Sequence, residues 1–187
     1  MAVTIRSFIS VHLSENVREQ IARFQTGLKI PGTDIKWVRP ENMHITLKFL
    51  GDIQPDQIDS IENVIRDVAG SVTPFNVWIR GAGCFPNEHH PRVLWLGIFT
   101  KTEIPGHMAR DLNGRLAVLG FQTEKRKFKP HLTLGRVRTL KNIGQVVGRM
   151  RQEGFESDGF HVNQIHLMQS RLKPSGAEYS VLKSIDL

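Results

Sequence analysis

The 187-residue chain has almost no cysteine. Cys84 is the only one, so neither an intrachain disulfide nor a cysteine-based zinc site can be built, and a reducing compartment fits that count. No apolar run approaches the roughly 20 residues that a membrane-spanning helix needs. The opening "MAVTIRSFISV" reads as a short strand without a signal-peptide cleavage pattern, and a cytoplasmic location is expected. Low-complexity tracts and Pro/Gly-rich linkers are missing as well, so nothing marks a domain boundary, and at 21.2 kDa one domain spanning 1–187 is expected. His-x-x-x-His and His-x-His spacings and ligand-spaced clusters of carboxylates are absent too, so neither a catalytic metal nor a cofactor is expected. With no heptad pattern and no self-pairing helix, a monomer is the default.

What the chain does have is excess positive charge, a formal net charge of +7 and a pI near 9.9. Such a balance favours an anionic partner, nucleic acid being the commonest for a small protein, although a basic surface also serves solubility. Charge alone therefore names no function.

A second positive feature is repetition. "HITLKFLG" begins at His44 and "HLTLGRV" at His131, an offset of 87 residues, and the same offset aligns other stretches without gaps. "FISV" at 8–11 falls on "WLGI" at 95–98, both apolar and strand-like. "SENVREQIARFQTGL" carries Ser14 as an N-cap and Val17, Ile21, Phe24 and Leu28 along one helical face; its counterpart "IPGHMARDLNGRLAVLG" carries Met108, Leu112, Leu116 and Leu119. Helices are also expected over "PDQIDSIENVIRDVAG" and "KNIGQVVGRMRQEG", and a last strand over "AEYSVLKSIDL". Each repeat, about 5–86 and 92–174, thus reads strand, helix, His-x-Thr strand, helix, strand. The expected fold is α+β: two similar lobes related by an approximate twofold, with two antiparallel-rich sheets facing a central cleft and helices on their outer faces.

Residues i and i+2 of a strand share a face, so His44 with Thr46, and His131 with Thr133, would point into that cleft while Ile45, Leu47, Leu132 and Leu134 enter the core. Imidazole, with an unperturbed pKa near ~6.5, can give or take a proton near neutrality, and a threonine hydroxyl can donate to an anionic oxygen. An in-line displacement at phosphorus needs one group to take a proton from water and another to protonate the departing alkoxide on the opposite side. Two His/Thr pairs facing each other supply both functions and hold the phosphoryl oxygens without a metal. His12, in "HLS", finds Phe99 at the same offset and reads as a surface or cap-adjacent residue.

The paired motifs, with "KWVRPENMH" before the first and "FKPH" before the second, resemble the two-histidine (2H) phosphoesterase superfamily. "PRVLWLGI" at 91–98 and "QSRLKPSGAEYSVL" at 169–182 are similar, within it, to the RNA 2′,3′-cyclic phosphodiesterases of bacteria and archaea, also called 2′-5′ RNA ligases. The resemblance runs from about Arg6 to Leu187. It implies a bilobal fold, metal-independent catalysis and hydrolysis of an RNA 2′,3′-cyclic phosphate to a 2′-phosphomonoester, with His44 as general acid on the 3′ oxygen and His131 as general base on water.

Around these residues, "EKRKFKPH" concentrates Lys125, Arg126, Lys127 and Lys129 as candidate RNA contacts, with Phe128 as an apolar anchor. Arg136 lies five residues after His131; strict alternation turns it away from the His/Thr face, while the resemblance implies that it approaches the phosphate. Phe49 occupies the matching place after His44 as a candidate cleft-lining residue. His161 and His166 read as opposite faces of one strand, and Gly81 and Gly83 in "RGAGCF" as a turn. Three other readings compete with hydrolysis of RNA ends. They are action on another small cyclic or 2′-5′-linked nucleotide, RNA-end binding without catalysis, and ligation, which water at ~55 M reduces to a minor reverse reaction. Intact His/Thr pairs favour an enzyme over a binding module.

Overall fold

Strand and helix follow one another as the duplicated pattern implies. The computed structural model describes residues 3–124, 128–174 and 176–187. The first repeat runs through β1 (Ile5–His12), α1 (Glu15–Gly27), β2 (Ile35–Trp37), β3 (His44–Ile53), α2 (Ile58–Ala69) and β4 (Phe75–Phe85). The second runs through β5 (Val93–Phe99), α3 (Ile104–Val118), β6 (His131–Val137), α4 (Ile143–Glu153), β7 (Phe160–Val162) and β8 (Gln164–Lys173), and β9 (Gly176–Asp186) follows.

The helices form where the sequence offers a stop and a stripe. The Ser14 hydroxyl accepts from the Val17 N–H at 3.4 Å and caps α1, whose Val17 and Ile21 are buried. In α2, Ile61, Ile65 and Val68 are fully buried, each contributing roughly 2 kcal/mol of apolar transfer. Helix α3 has Pro105 in its first turn, where no intrahelical donor is needed, and buries Met108, Leu112 and Leu116; Leu119 lies past the helix end and stays exposed. Helix α4 buries Val146, Val147 and Met150 and stops at Gly154, whose φ of 62° suits glycine.

All strand pairs are antiparallel and fall into a four-stranded sheet, order β3-β1-β8-β9, and a five-stranded sheet, order β2-β6-β5-β4-β7. The repeats exchange their last strands, since β8 pairs with β1 and β4 pairs with β5. The helices cross over as well. Helices α2 and α3 pack on each other and on the four-stranded sheet, whereas α4 packs on β4 and α1 reaches β6 through Gln25. Neither sheet is therefore built from one continuous half of the chain. No helix among the described residues is long and apolar enough to cross a membrane.

Three local readings of the sequence change here. Gly81 and Gly83 lie inside β4, not in a turn. Gly81, at φ 77°, sits at a bulge where the register passes from Ile79↔Ile98 to Ala82↔Leu96, and its N–H is taken by the Phe155 carbonyl at 2.8 Å. His161 and His166 belong to β7 and β8, in different sheets, because the chain turns between the two strands. Strands β2 and β7, three residues each, are too short for alternation to reveal them.

Gly83 has a packing reason to be glycine: a Cβ there would meet the Trp95 indole, 2.7 Å from Cη2. Gly83→Val is expected to destabilise the fold by about 1–3 kcal/mol, measurable as a lower urea midpoint at unchanged slope; an unchanged midpoint would mean that Trp95 can move aside freely.

Candidate active site

The burial pattern of β3 over His44–Leu50 is half-buried, buried, half-buried, buried, buried, exposed, half-buried, and that of β6 over His131–Val137 is the same. Two consecutive buried residues break the period of two. The ladders show why: Ser10↔Thr46 is followed by Ile9↔Lys48, and Trp95↔Thr133 by Leu94↔Gly135, so Leu47 and Leu134 are each an extra residue on their strand. These bulges stand at matching positions, 87 residues apart. Past each one the alternation inverts, which returns Phe49 and Arg136 to the His/Thr face. Arg136 is therefore not turned away as unbroken alternation would have it; it shares a face with His131 and Thr133. Phe49, 68% exposed, leans on Phe8 with ring centroids 6.0 Å apart.

Both imidazoles are held in one way. His44 Nδ1 lies 2.8 Å from the Asn42 carbonyl and His131 Nδ1 lies 2.9 Å from the Lys129 carbonyl, each acceptor two residues upstream. A neutral ring donates through Nδ1–H there, which leaves the Nε2 lone pair free. His44 stacks on Phe8 at 4.6 Å and meets the edge of Tyr179 at 5.0 Å; His131 meets the edge of Phe85 at 5.1 Å. Burial pushes the His44 pKa down to about 4, with the Asn42 hydrogen bond acting the other way and His12 adding to the depression.

The two half-sites meet at Tyr179. Its hydroxyl pKa is raised by burial, while the positive charges of Arg136 on β6 and Arg6 on β1 act against that shift. A residue of the His131 strand thus lies in electrostatic reach of the ring that touches His44, and β3 and β6 are in contact. The His-x-Thr strand, its bulge and its imidazole anchor are each present twice, one set in each antiparallel sheet. The model of the family described as LigT like Phosphoesterase matches residues 11–95 and 106–179.

The chain belongs to this family.

Among curated relatives, an RNA 2′,3′-cyclic phosphodiesterase of Methanothermobacter thermautotrophicus is 37% identical over 179 residues, covering 94% of this chain and 95% of its own. One of the same name from Methanocaldococcus jannaschii is 34% identical over 180 residues, covering 96% and 99%. A solved protein of Thermus thermophilus superposes with a TM-score of 0.81 at 28% identity, covering 98% of both chains. Escherichia coli LigT, solved with 3′-AMP, gives 0.80 at 23% identity over 99% of both.

Within this LigT-like frame the structure adds residues that sequence reasoning passed over. His12, two residues before the Ser14 cap, is not a surface residue: it pairs in register with His44 and stacks on His166 at 3.9 Å, and His166 Nδ1 lies 3.0 Å from the Ser184 hydroxyl. The parity of Phe8, Ser10 and His12 along β1 could have shown that they share a face. Lys48, next to the first bulge, is buried; its ammonium donates to Asn113 Oδ1 at 2.7 Å and to the Gln122 carbonyl at 2.6 Å, tying β3 to α3 and to the segment that leads toward His131. Gln25 of α1 does the converse, donating to the Val38 carbonyl on the approach to His44 at 2.8 Å and to the Leu134 bulge carbonyl at 3.1 Å. Phe128 packs against the core, as expected of an anchor. Lys125, Arg126 and Lys127 lie outside the described residues. No group of three or more His, Cys, Asp or Glu among the described residues could hold a metal ion.

The buried histidines set a pH dependence of stability. Burial, with a smaller push from His12, lowers the His166 pKa to about 4, like that of His44. Their folded-state values lie below the ordinary 6.5, so the unfolded chain binds more protons between pH 6.5 and 4; stability is full above 6.5 and falls as pH drops through that window. Replacing His166 by Gln is expected to reduce proton uptake on unfolding at pH 5 by about one proton. Urea unfolding at several pH values measures this, and an unaltered slope of stability against pH would place His166 outside the linkage.

Proposed function

We propose that this cleft hydrolyses 2′,3′-cyclic phosphate ends of RNA to 2′-phosphomonoesters, with the two His/Thr pairs as its working parts and no metal in the step. The observation that carries the reading is the matched pair of Nδ1-anchored imidazoles on bulged strands. The names of the relatives at 34–37% identity support the substrate class.

In this mechanism His131 Nε2 takes a proton from water as the water oxygen bonds to phosphorus. The bond from phosphorus to the 3′ oxygen breaks on the far side, and His44 delivers a proton to that oxygen. The products are a 2′-phosphomonoester and a free 3′ hydroxyl. Thr46 and Thr133 donate to the non-bridging oxygens as charge shifts onto them, and Arg136 offsets the negative charge from the β6 wall. Because Nδ1 of each ring is fixed by a main-chain carbonyl, proton transfer is confined to Nε2.

The depressed proton affinity of His44 fits the acid role once substrate is bound. In the free protein the buried ring is neutral at pH 7. A phosphodiester anion placed against it supplies the opposite charge that favours the imidazolium, and the same low-polarity walls of Phe8 and Tyr179 strengthen that attraction. An acid charged by its own substrate is strong enough to protonate an alkoxide as it leaves.

The test is incubation with a short RNA ending in a 2′,3′-cyclic phosphate, in the presence of EDTA, with separation of 2′- and 3′-phosphate products. The 2′-phosphate should form, and His44→Ala and His131→Ala should each slow turnover by at least ~10²-fold without unfolding the protein. A substrate with sulfur at the bridging 3′ position, whose leaving group needs no proton, should rescue His44→Ala and not His131→Ala. Rescue of the other variant would exchange the two roles, and near-wild-type turnover in either variant would end the paired-histidine mechanism.

A further inference from the structure

Strand β2 pairs with β6 so that Lys36 stands directly opposite Arg136. Directly opposed residues of an antiparallel pair share a face, and the neighbours of Lys36 show which face it is. A Cβ at Gly135 would meet Ile35 Cγ2 at 2.8 Å and Trp37 Cε3 at 3.1 Å, so Ile35 and Trp37 flank the face opposite to Arg136, and Lys36, between them, points the same way as Arg136 and the His/Thr residues. Two like charges opposite each other on a sheet are destabilising. Several other arginines avoid this cost: Arg18, Arg66, Arg115, Arg149 and Arg151 each meet a carboxylate. On the same β2–β6 ladder Arg138 is paired with Asp34 at 3.7 Å. Lys36 and Arg136 are both exposed, and among the described residues neither is in an ion pair.

A third cation faces them. Arg6, exposed on β1 and outside any ion pair among the described residues, although Asp52 stands opposite it on the β1–β3 ladder, acts on the Tyr179 hydroxyl from the four-stranded sheet as Arg136 does from the five-stranded one. Arg6, Arg136 and Lys36 thus run from one wall of the cleft to the other and out to the sheet edge, Lys36 one strand spacing, about 4.8 Å, beyond Arg136. A single cyclic phosphate, met in the proposed mechanism by two imidazoles, two threonines and Arg136, does not use cations placed beyond Arg136. A nucleotide chain carries a further phosphate at every residue, and a row of exposed cations leading away from the reaction centre is the electrostatic shape that tracks it.

We propose that Lys36 and Arg6, flanking Arg136, form a subsite for the backbone phosphate that precedes the cyclic end, so that the cleft prefers the end of an RNA strand to a cyclic mononucleotide. This rests on the reading of the cleft as an RNA-end site. Lys36 is a specificity determinant in this arrangement and takes no part in proton transfer.

The experiment compares wild type, Lys36→Gln and Arg6→Gln on two substrates, a nucleoside 2′,3′-cyclic monophosphate and a trinucleotide ending in a 2′,3′-cyclic phosphate. Each substitution should raise KM for the trinucleotide roughly tenfold more than for the mononucleotide, with kcat moving little. The slope of log kcat/KM against log salt for the trinucleotide should become shallower by about 0.7. Lys36→Arg should restore most of the preference. An equal loss on both substrates would place these residues at the reacting phosphate or in the fold, and no loss on either would leave them as solvated surface; both outcomes overturn the subsite. Should the wild type hydrolyse neither substrate, the phosphodiesterase reading fails by itself. The subsite is then decided by fluorescence anisotropy with labelled 2′-phosphate mono- and trinucleotides, where undiminished trinucleotide affinity in Lys36→Gln overturns it.

Discussion

One extra residue in each His-x-Thr strand governs the site. Leu47 and Leu134 are bulge residues, and without them the period-two rule would place Phe49 and Arg136 on the face opposite the histidines. A bulge leaves ladder groups unpaired, so it persists only where something else satisfies them. At Leu134 the carbonyl accepts from the Val38 N–H and from the Gln25 side chain, both supplied by the first repeat. Beside Leu47, Lys48 is buried against Asn113 and Gln122, supplied by the second. The Leu134 bulge is thus anchored in the other repeat, and Lys48, beside the Leu47 bulge, reaches across in the opposite direction.

That cross-anchoring accounts for two of the polar side chains inside the protein, Gln25 and Lys48. Gln25, Lys48, Ser10 and His166 are buried although the surrounding core is Ile, Leu and Val. Gln25 and Lys48 are bonded to main-chain oxygens, which offsets the cost of burying them. The Lys48 ammonium keeps a proton affinity lowered by burial and partly restored by Glu124. Gln25 and Lys48, anomalous by composition, thus tie the His-x-Thr strands to the opposite repeat.

Much of this was legible in the sequence, and the reason is the repeat. His44, Thr46, His131 and Thr133 sit in strands whose neighbours also recur 87 residues away, and a pattern stated twice separates itself from accident. The core stripes of the helices followed from spacing alone, except for Leu119, which the helix end cuts off. What stayed hidden depends on pairing between distant strands. His12 lacks a counterpart at the repeat offset, yet its partner His44 is across the ladder, and His166 reaches it only because β8 is inserted beside β1. Arg136 was ambiguous because a bulge has no mark in composition; Lys36 was invisible because β2 is three residues long and its meaning lies in the residue opposite.

The exchange of strands between repeats has a consequence for what could exist as a protein by itself. The edge of β1 that β8 covers, and the edge of β5 that β4 covers, are each closed by a strand from the other half of the chain. One repeat cut free would carry an open edge, together with a detached strand of its own suited to a neighbour's edge. Two such halves would satisfy each other by trading those strands, as symmetric dimers do. The smallest unit in which β1 and β5 are paired on both sides is therefore a pair of repeats, whether the two members are joined by a linker or meet by diffusion.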